Sequence, residues 1–158
     1  MRTSAGLLLF RMSDTGAPEV LLVHPGGPFW AKTDAGAWSI PKGECEPDED
    51  PGSAAVREFT EELGSPPPAG DTVELGSVRQ SSAKTVVAFA RRADFDAETI
   101  SSNLIVIPWP PRSGRTMEIP EVDRARWCDF DQARTLLVKG QVPFLDRLLE
   151  WLQVQDSR

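Results

Sequence analysis

Apolar residues run unbroken from Leu7 to Phe10 and again from Val20 to Val23, with the turn-forming residues Asp14, Thr15, Gly16, Ala17 and Pro18 between them. This pattern predicts two strands, over 3–10 and 20–23, joined as a hairpin. Residues 24–37 lose the pattern and gather Pro25, Gly26, Gly27, Pro28 and Gly36 with Phe29 and Trp30, which suits a long loop at a sheet edge. Trp38 to Ile40 resumes an extended segment, and 41–50 is a polar passage into the first clear helix. That helix is predicted over 51–63, with Asp50 as its N-cap, Pro51 in a first turn that needs no N–H from it, and Gly64 just past its end.

Pro66, Pro67 and Pro68 break the chain, and β-rich runs over 73–78, 85–90 and 104–107 predict three further strands. Beyond the Pro- and Gly-rich stretch 108–114, residues 116–128 alternate irregularly and predict one strand with a bend. Two amphipathic helices close the chain, marked by Phe130, Ala133, Leu136 and Leu137 and then by Phe144, Leu145, Leu148, Leu149 and Leu152. Strands interleaved with helices in this order predict an α/β sandwich around a central mixed sheet.

With 158 residues the chain is sized for one domain spanning 1–158, and 40% hydrophobic with 26% charged residues is a globular balance. No apolar run approaches the roughly 20 residues of a bilayer span, and Leu7 to Phe10 is shorter than the core of a signal peptide, so no membrane partner and a cytoplasmic location are expected. Cys45 and Cys128 lack metal-ligand spacing and are expected as free thiols. A net charge of −7 argues against a nucleic-acid polymer, whose phosphates call for Lys and Arg. It favours a small ligand, and if that ligand carries phosphates, a bridging divalent cation reconciles the like charges.

The informative stretch is 43–64. Glu58, Glu61 and Glu62 stand at i, i+3 and i+4 of the predicted helix, on neighbouring parts of one surface. Like charges at that spacing, near a helix C-terminus, oppose helix stability. One explanation is a solvated acidic face. The other is a hard cation such as Mg2+, which takes oxygen ligands, keeps waters, and makes a bound water a better nucleophile toward a phosphoryl group.

Gly43, five residues, Glu49, seven residues, then Arg57, Glu58, Phe59, Thr60, Glu61, Glu62, Leu63 and Gly64 resembles the signature box of the Nudix hydrolases. Eight of these positions, all but Thr60 and Leu63, coincide by chance in a chain of this length with a probability on the order of 1 in 10⁷. Ser65 departs from the pattern, which usually has an aliphatic residue there. The resemblance implies the Nudix α/β/α sandwich and a Mg2+-dependent pyrophosphohydrolase, with Mn2+ as a possible substitute. It implies that Glu58, Glu61 and Glu62 are metal ligands, that Glu58 is either ligand or general base, and that the carbonyl of Lys42 is a further ligand. Arg57 and Glu49 would support the loop, and Gly43 would take a backbone shape that a side chain obstructs. Family members often add an acidic ligand from beyond the box, for which Glu121 and Glu118 are the candidates.

The substrate is less legible. There is no tyrosine, so a base-stacking platform must come from Trp30, Phe29, Trp38 or Trp109, of which Phe29 and Trp30, in the loop, are preferred. Lys32, Lys42 and Arg2 are candidate phosphate contacts, and His24 is either a loop hydrogen-bonding residue or a catalytic one. The specificity markers that some Nudix subfamilies carry past the box are absent from Arg79, Gln80, Ser81, Ser82 and Ala83. The chain is similar to short bacterial Nudix proteins near the diadenosine tetraphosphate and nucleoside triphosphate hydrolases. This similarity implies a small-molecule nucleotide substrate; a non-catalytic nucleotide or nucleotide-sugar sensor on the same scaffold is the alternative.

Overall fold

In the computed structural model, which describes residues 2–156, the two apolar runs form the centre of the molecule. Strand β1 (Arg2–Met12) is buried from Ser4 through Phe10, on both faces rather than one. Its alternation divides the core. Ala5, Leu7 and Leu9 face one side, and Leu8 and Phe10 face the other.

The remaining strands are β2 (Pro18–Pro25), β3 (Lys42–Glu44), β4 (Thr72–Ser81), β5 (Lys84–Arg92), β6 (Leu104–Pro108), β7 (Thr116–Pro120) and β8 (Val122–Asp129). The main sheet runs β4-β5-β1-β2-β8, with β3 also paired to β1. β1 and β5 are parallel and the other pairs antiparallel, so the sheet is mixed, as expected. A parallel pair needs a crossover, and the chain between β1 and β5 supplies it with helix α1 (Pro51–Leu63).

α1 begins and ends where its sequence dictates. The Asp50 carboxylate accepts from the Ser53 N–H at 3.1 Å, and Gly64 takes φ 85°, a left-handed value that suits glycine. Ala54, Ala55, Phe59 and Leu63 bury one stripe against Ala5, Leu7, Leu9, Leu21 and Val23. Full burial of Phe59 alone contributes about 2–3 kcal/mol. On the opposite face, α2 (Phe130–Leu136) and α3 (Val142–Asp156) cover Leu8, Phe10, Val20 and Leu22 with Leu136, Phe144, Leu145 and Leu148. The result is the expected three-layered α/β/α sandwich.

Three boundaries differ from the sequence reading. The polar passage after Ile40 contains strand β3, whose residues carry little apolar signal because they border a polar cavity. Trp38 to Ile40 forms no strand of its own but makes isolated bridges, Ser39 to Val23 and Trp38 to Leu137. The expected bent strand over 116–128 is two strands in different sheets: β7 pairs with β6 as a separate hairpin, and β8 pairs with β2. The break falls at Glu121, whose N–H donates to Asn103 and whose carbonyl accepts from Gly26. Pro120, just before it, has no N–H to continue a ladder. No helix among the described residues is long and apolar enough to cross a membrane.

Candidate active site

The segment 39–44 enters the sheet between β1 and β2. Ser39 exchanges both backbone hydrogen bonds with Val23 at 2.9 Å, and Leu7 donates to the Pro41 carbonyl at 3.1 Å. β3 then pairs with the start of β1, Gly43 opposite Ala5 and Lys42 opposite Gly6. This sets Gly43 against α1. A Cβ on Gly43 would fall on the carboxyl group of Glu58, so the glycine leaves the space that the carboxylate fills. One turn on, Glu62 accepts from the Lys42 N–H at 3.2 Å. Glu58 and Glu62 are 8% and 5% exposed, which a merely solvated acidic face would not be.

Arg57 organises the other flank. Its Nε and Nη2 donate to the two oxygens of Glu49 at 2.7 and 2.8 Å, a bidentate fork, and Nη2 also reaches the Glu44 carbonyl at 3.1 Å. Its Nη1 donates to Glu58 at 2.9 Å and to Glu61 at 3.2 Å. The loop from β3 to α1 is thereby tied to the helix it precedes. Glu49 adds a bond from the Glu46 N–H at 3.0 Å, and Arg57 holds its carboxyl down to about 2.

The carboxylates on the buried side behave in the opposite way. Burial pushes Glu62 well above the ordinary range, and the charge of Glu121 adds to the shift. Burial likewise raises Glu58, with Glu61 next in effect. Burial and then the neighbouring Lys84 push Lys42 down to about 8. Buried like charges that raise one another are costly in the absence of a cation.

Glu62 and Glu121 line a cavity of about 330 Å3 together with Ser4, Ser39, Lys42 and Lys84. A larger cavity, about 610 Å3, lies beside the N-terminus of α1 among Asp50, Ser53, Phe89 and Arg91, away from the buried carboxylates. Size does not identify the site here; converging chemistry does.

A divalent cation suits this donor set. Glu58 and Glu62 are oxygen donors whose proton affinity is raised by burial and by neighbouring carboxylates, Glu121 among them, and a hard cation would relieve that repulsion. Among the described residues, however, no three acidic, histidine or cysteine side chains gather around one point. Arg57 Nη1 occupies Glu58 and Glu61, and the Lys42 N–H occupies Glu62. Glu61, whose side chain is 43% exposed, stands outermost of the three helix carboxylates. Each of the bonds from Arg57 Nη1 and the Lys42 N–H engages one oxygen, Oε1, so the Oε2 of Glu58, Glu61 and Glu62 accepts none of them.

The other residues singled out from sequence are dispersed. Phe29 and Trp30 pack edge to face, 68% and 38% exposed, on the loop, and neither they nor the exposed Lys32 line the carboxylate cavity. Glu118 is exposed on β7, whereas Glu121 at the strand break faces the cavity. His24 is fully buried, with Nδ1 2.8 Å from Asp123, Nε2 2.7 Å from the Thr33 carbonyl, and its ring edge-on to Trp38. It fastens the loop to β8. Ser4 and Lys84 had no motif to announce them. They reach the cavity only through the pairing of β1 with β5, a long-range register that local sequence does not carry.

The central strand thus meets α1 through buried carboxylates and an Arg-tied loop, beside a cavity lined by both carboxylates and ammonium groups. The chain belongs to the Nudix hydrolases, since the family model for the NUDIX domain matches residues 1–152. Solved structures agree on the fold. The Ap4A hydrolase of C. elegans, in a binary complex, is 20% identical with a TM-score of 0.61, over 97% of this chain and 98% of that one. The NUDIX domain of Shewanella oneidensis NrtR, complexed with ADP ribose, is 17% identical with a TM-score of 0.64, over 95% and 87%. The M. smegmatis Nudix hydrolase RenU is 25% identical with a TM-score of 0.57, over 96% and 86%. No curated protein sequence matches the chain.

Proposed function

We propose that this Nudix hydrolase cleaves a phosphoanhydride bond in a nucleoside polyphosphate, either a dinucleoside polyphosphate or a nucleoside triphosphate, with Mg2+ as its cation and Mn2+ as a substitute. One observation carries this reading: Glu62 and Glu58 are buried, repelling carboxylates one helical turn apart, and Glu62 lines a cavity together with Glu121, Lys42 and Lys84. Glu58, Glu61, Glu62, Glu121 and the Lys42 carbonyl are the proposed metal donors. When bound, the cation would polarise the phosphoryl oxygens and lower the pKa of a coordinated water.

The protein's own contribution is positional. Glu58, held by Gly43 and Arg57, is placed either to ligate or to take a proton from the attacking water. Arg57 and Glu49 fix the loop, so that Lys42 and Gly43 hold their place against α1. Phe29 and Trp30 are proposed to meet the nucleoside where it extends beyond the cavity.

The alternative is a nucleotide-binding module without turnover, and it draws on the hold of Arg57 Nη1 on one oxygen of Glu58 and one of Glu61. A panel of nucleotides incubated with Mg2+, with phosphate-containing products resolved, separates the two. Magnesium-dependent product from at least one nucleoside polyphosphate supports hydrolysis. Nucleotide binding with no product from any compound supports the module.

A further inference from the structure

Beside the carboxylates, β1 leaves β2 and pairs with β3 instead, and the chain that enters this split lacks a neighbour on one side. Ser39 is bonded to Val23 through both its backbone groups, the Pro41 carbonyl accepts from Leu7, and the Lys42 N–H donates to Glu62. Ile40, between Ser39 and Pro41, has no backbone partner among the described residues. Side chains replace it. Gln141 Oε1 accepts the Ile40 N–H at 3.0 Å, and the Ser39 hydroxyl donates to the Ile40 carbonyl at 2.7 Å. Gln141 Nε2 donates to Ser39 Oγ and to Gln80 Oε1, each at 3.0 Å. The amide has one orientation, because an N–H such as that of Ile40 can only be met by its oxygen. Gln141 is 0% exposed and does not line the carboxylate cavity. The passage before β3, the end of β4 and the short 3-10 turn Lys139–Gln141 all meet at it. That turn is closely seated, since a Cβ on Gly140 would stand 3.0 Å from the backbone of Gln80.

We infer that Gln141, its amide oriented by Gln80, is a positioning residue for the reaction: it fixes Ile40, and through Ile40 the Lys42 N–H that holds Glu62. This rests on the phosphoanhydride hydrolysis proposed above and adds to it a residue that touches neither cation nor substrate. Pro41 has no N–H, so the bond from Ile40 to Gln141 is the last backbone donor bond before Lys42. Without it the Ile40 N–H is buried and unpaired, and the passage shifts to find another acceptor. A metal ligand held from behind loses its geometry when its support moves by more than about 0.5 Å. Gln141 thus takes the part of the strand neighbour that the split removes, and the carboxylate site depends on it from the opposite side of the sheet.

The test joins amide hydrogen exchange of the full chain by NMR, Mn2+ binding followed by electron paramagnetic resonance, and Mg2+-dependent kinetics on the best substrate of the nucleotide panel. Gln141→Met keeps the length of the side chain and removes the amide, whereas Gln80→Ala removes only the outer acceptor of that amide. In Gln141→Met the Ile40 and Lys42 amides should exchange at least about tenfold faster while those of α1 and β5 keep their protection. Mn2+ should bind about tenfold more weakly, and kcat should fall about 10- to 100-fold with KM changed by less than about threefold. Gln80→Ala should act in the same direction to a smaller degree, and should add nothing once residue 141 is methionine. Unchanged Lys42 exchange in a folded Gln141→Met, faster exchange spread evenly over the chain, or an undiminished effect of Gln80→Ala in the double variant would overturn the proposal. Should Gln141→Met not fold, Gln80→Ala decides alone: faster Lys42 exchange supports the proposal and unchanged exchange refutes it. Faster Lys42 exchange and weaker Mn2+ binding in variants of a wild type that turns over no nucleotide supports the hold on Glu62 and refutes hydrolysis, so the two claims fail separately.

Discussion

Gly43 and Glu58 share one volume: the carboxylate of the glutamate lies where a side chain on the glycine would begin. The glycine of the signature is thereby explained by what it makes room for, not by backbone freedom. Gly43→Ala should displace Glu58 rather than the strand, because a carboxylate at the end of a flexible side chain gives way more easily than paired backbone. Its kcat should fall at least about tenfold while stability changes by no more than about 1–2 kcal/mol. Kinetics beside a denaturation curve checks this, and a collapse of stability with no specific loss of kcat would be inconsistent with it.

Arg57 acts through a planar fork that lysine cannot copy. Arg57→Lys loses the paired bonds to Glu49 and the bond to the Glu44 carbonyl, leaving the loop free to shift against α1. Turnover should drop by about 10- to 100-fold, the usual consequence of losing a group that orients a metal ligand. Glu49→Gln should produce a smaller loss in the same direction. Full activity in Arg57→Lys would mean that the fork is ornamental.

The pH dependence of the metal-free protein follows from Glu62. Burial and Glu121 raise its pKa in the fold, so the folded chain holds this proton more tightly than the unfolded chain does. Its contribution is whole below the ordinary glutamate value and is lost as pH rises through the raised one. In EDTA the wild-type Tm should therefore fall between pH 5 and pH 8 by more than that of Glu62→Gln. Adding Mg2+ should restore the wild type and not the variant. Parallel slopes for the two proteins would contradict the account.

His24 predicts a structural effect. Replacement by phenylalanine keeps the ring against Trp38 but abandons Asp123 and the Thr33 carbonyl, and should cost about 1–3 kcal/mol. Because Thr33 belongs to the loop that carries Phe29 and Trp30, KM should rise more than kcat falls. Thermal melts and steady-state kinetics on the best substrate of the panel decide it.

What the sequence disclosed, and what it withheld, follows the range of the interactions. α1 was legible to the residue because Asp50, Pro51 and Gly64 act within one turn of its ends, and the core strands were legible because Leu7 to Phe10 and Val20 to Val23 are buried on both faces. The signature box declared Glu58 and Glu62 because its spacing is local. Strand β3 was hidden by its polarity, and the break at Glu121 by a hydrogen bond from Gly26, almost a hundred positions away. Lys84 and Ser4 have no local signature, and only strand register unites them. Phe29 and Trp30 stand out in the sequence by loop composition alone, which carries no information on the direction in which a loop projects.

Hydrolysis by the buried glutamates of α1 with a divalent cation stands or falls on Mg2+-dependent turnover of wild type and Glu62→Gln, with circular dichroism on the same samples. The variant should stay folded and lose about a hundredfold or more in kcat. A folded Glu62→Gln with wild-type turnover would contradict it.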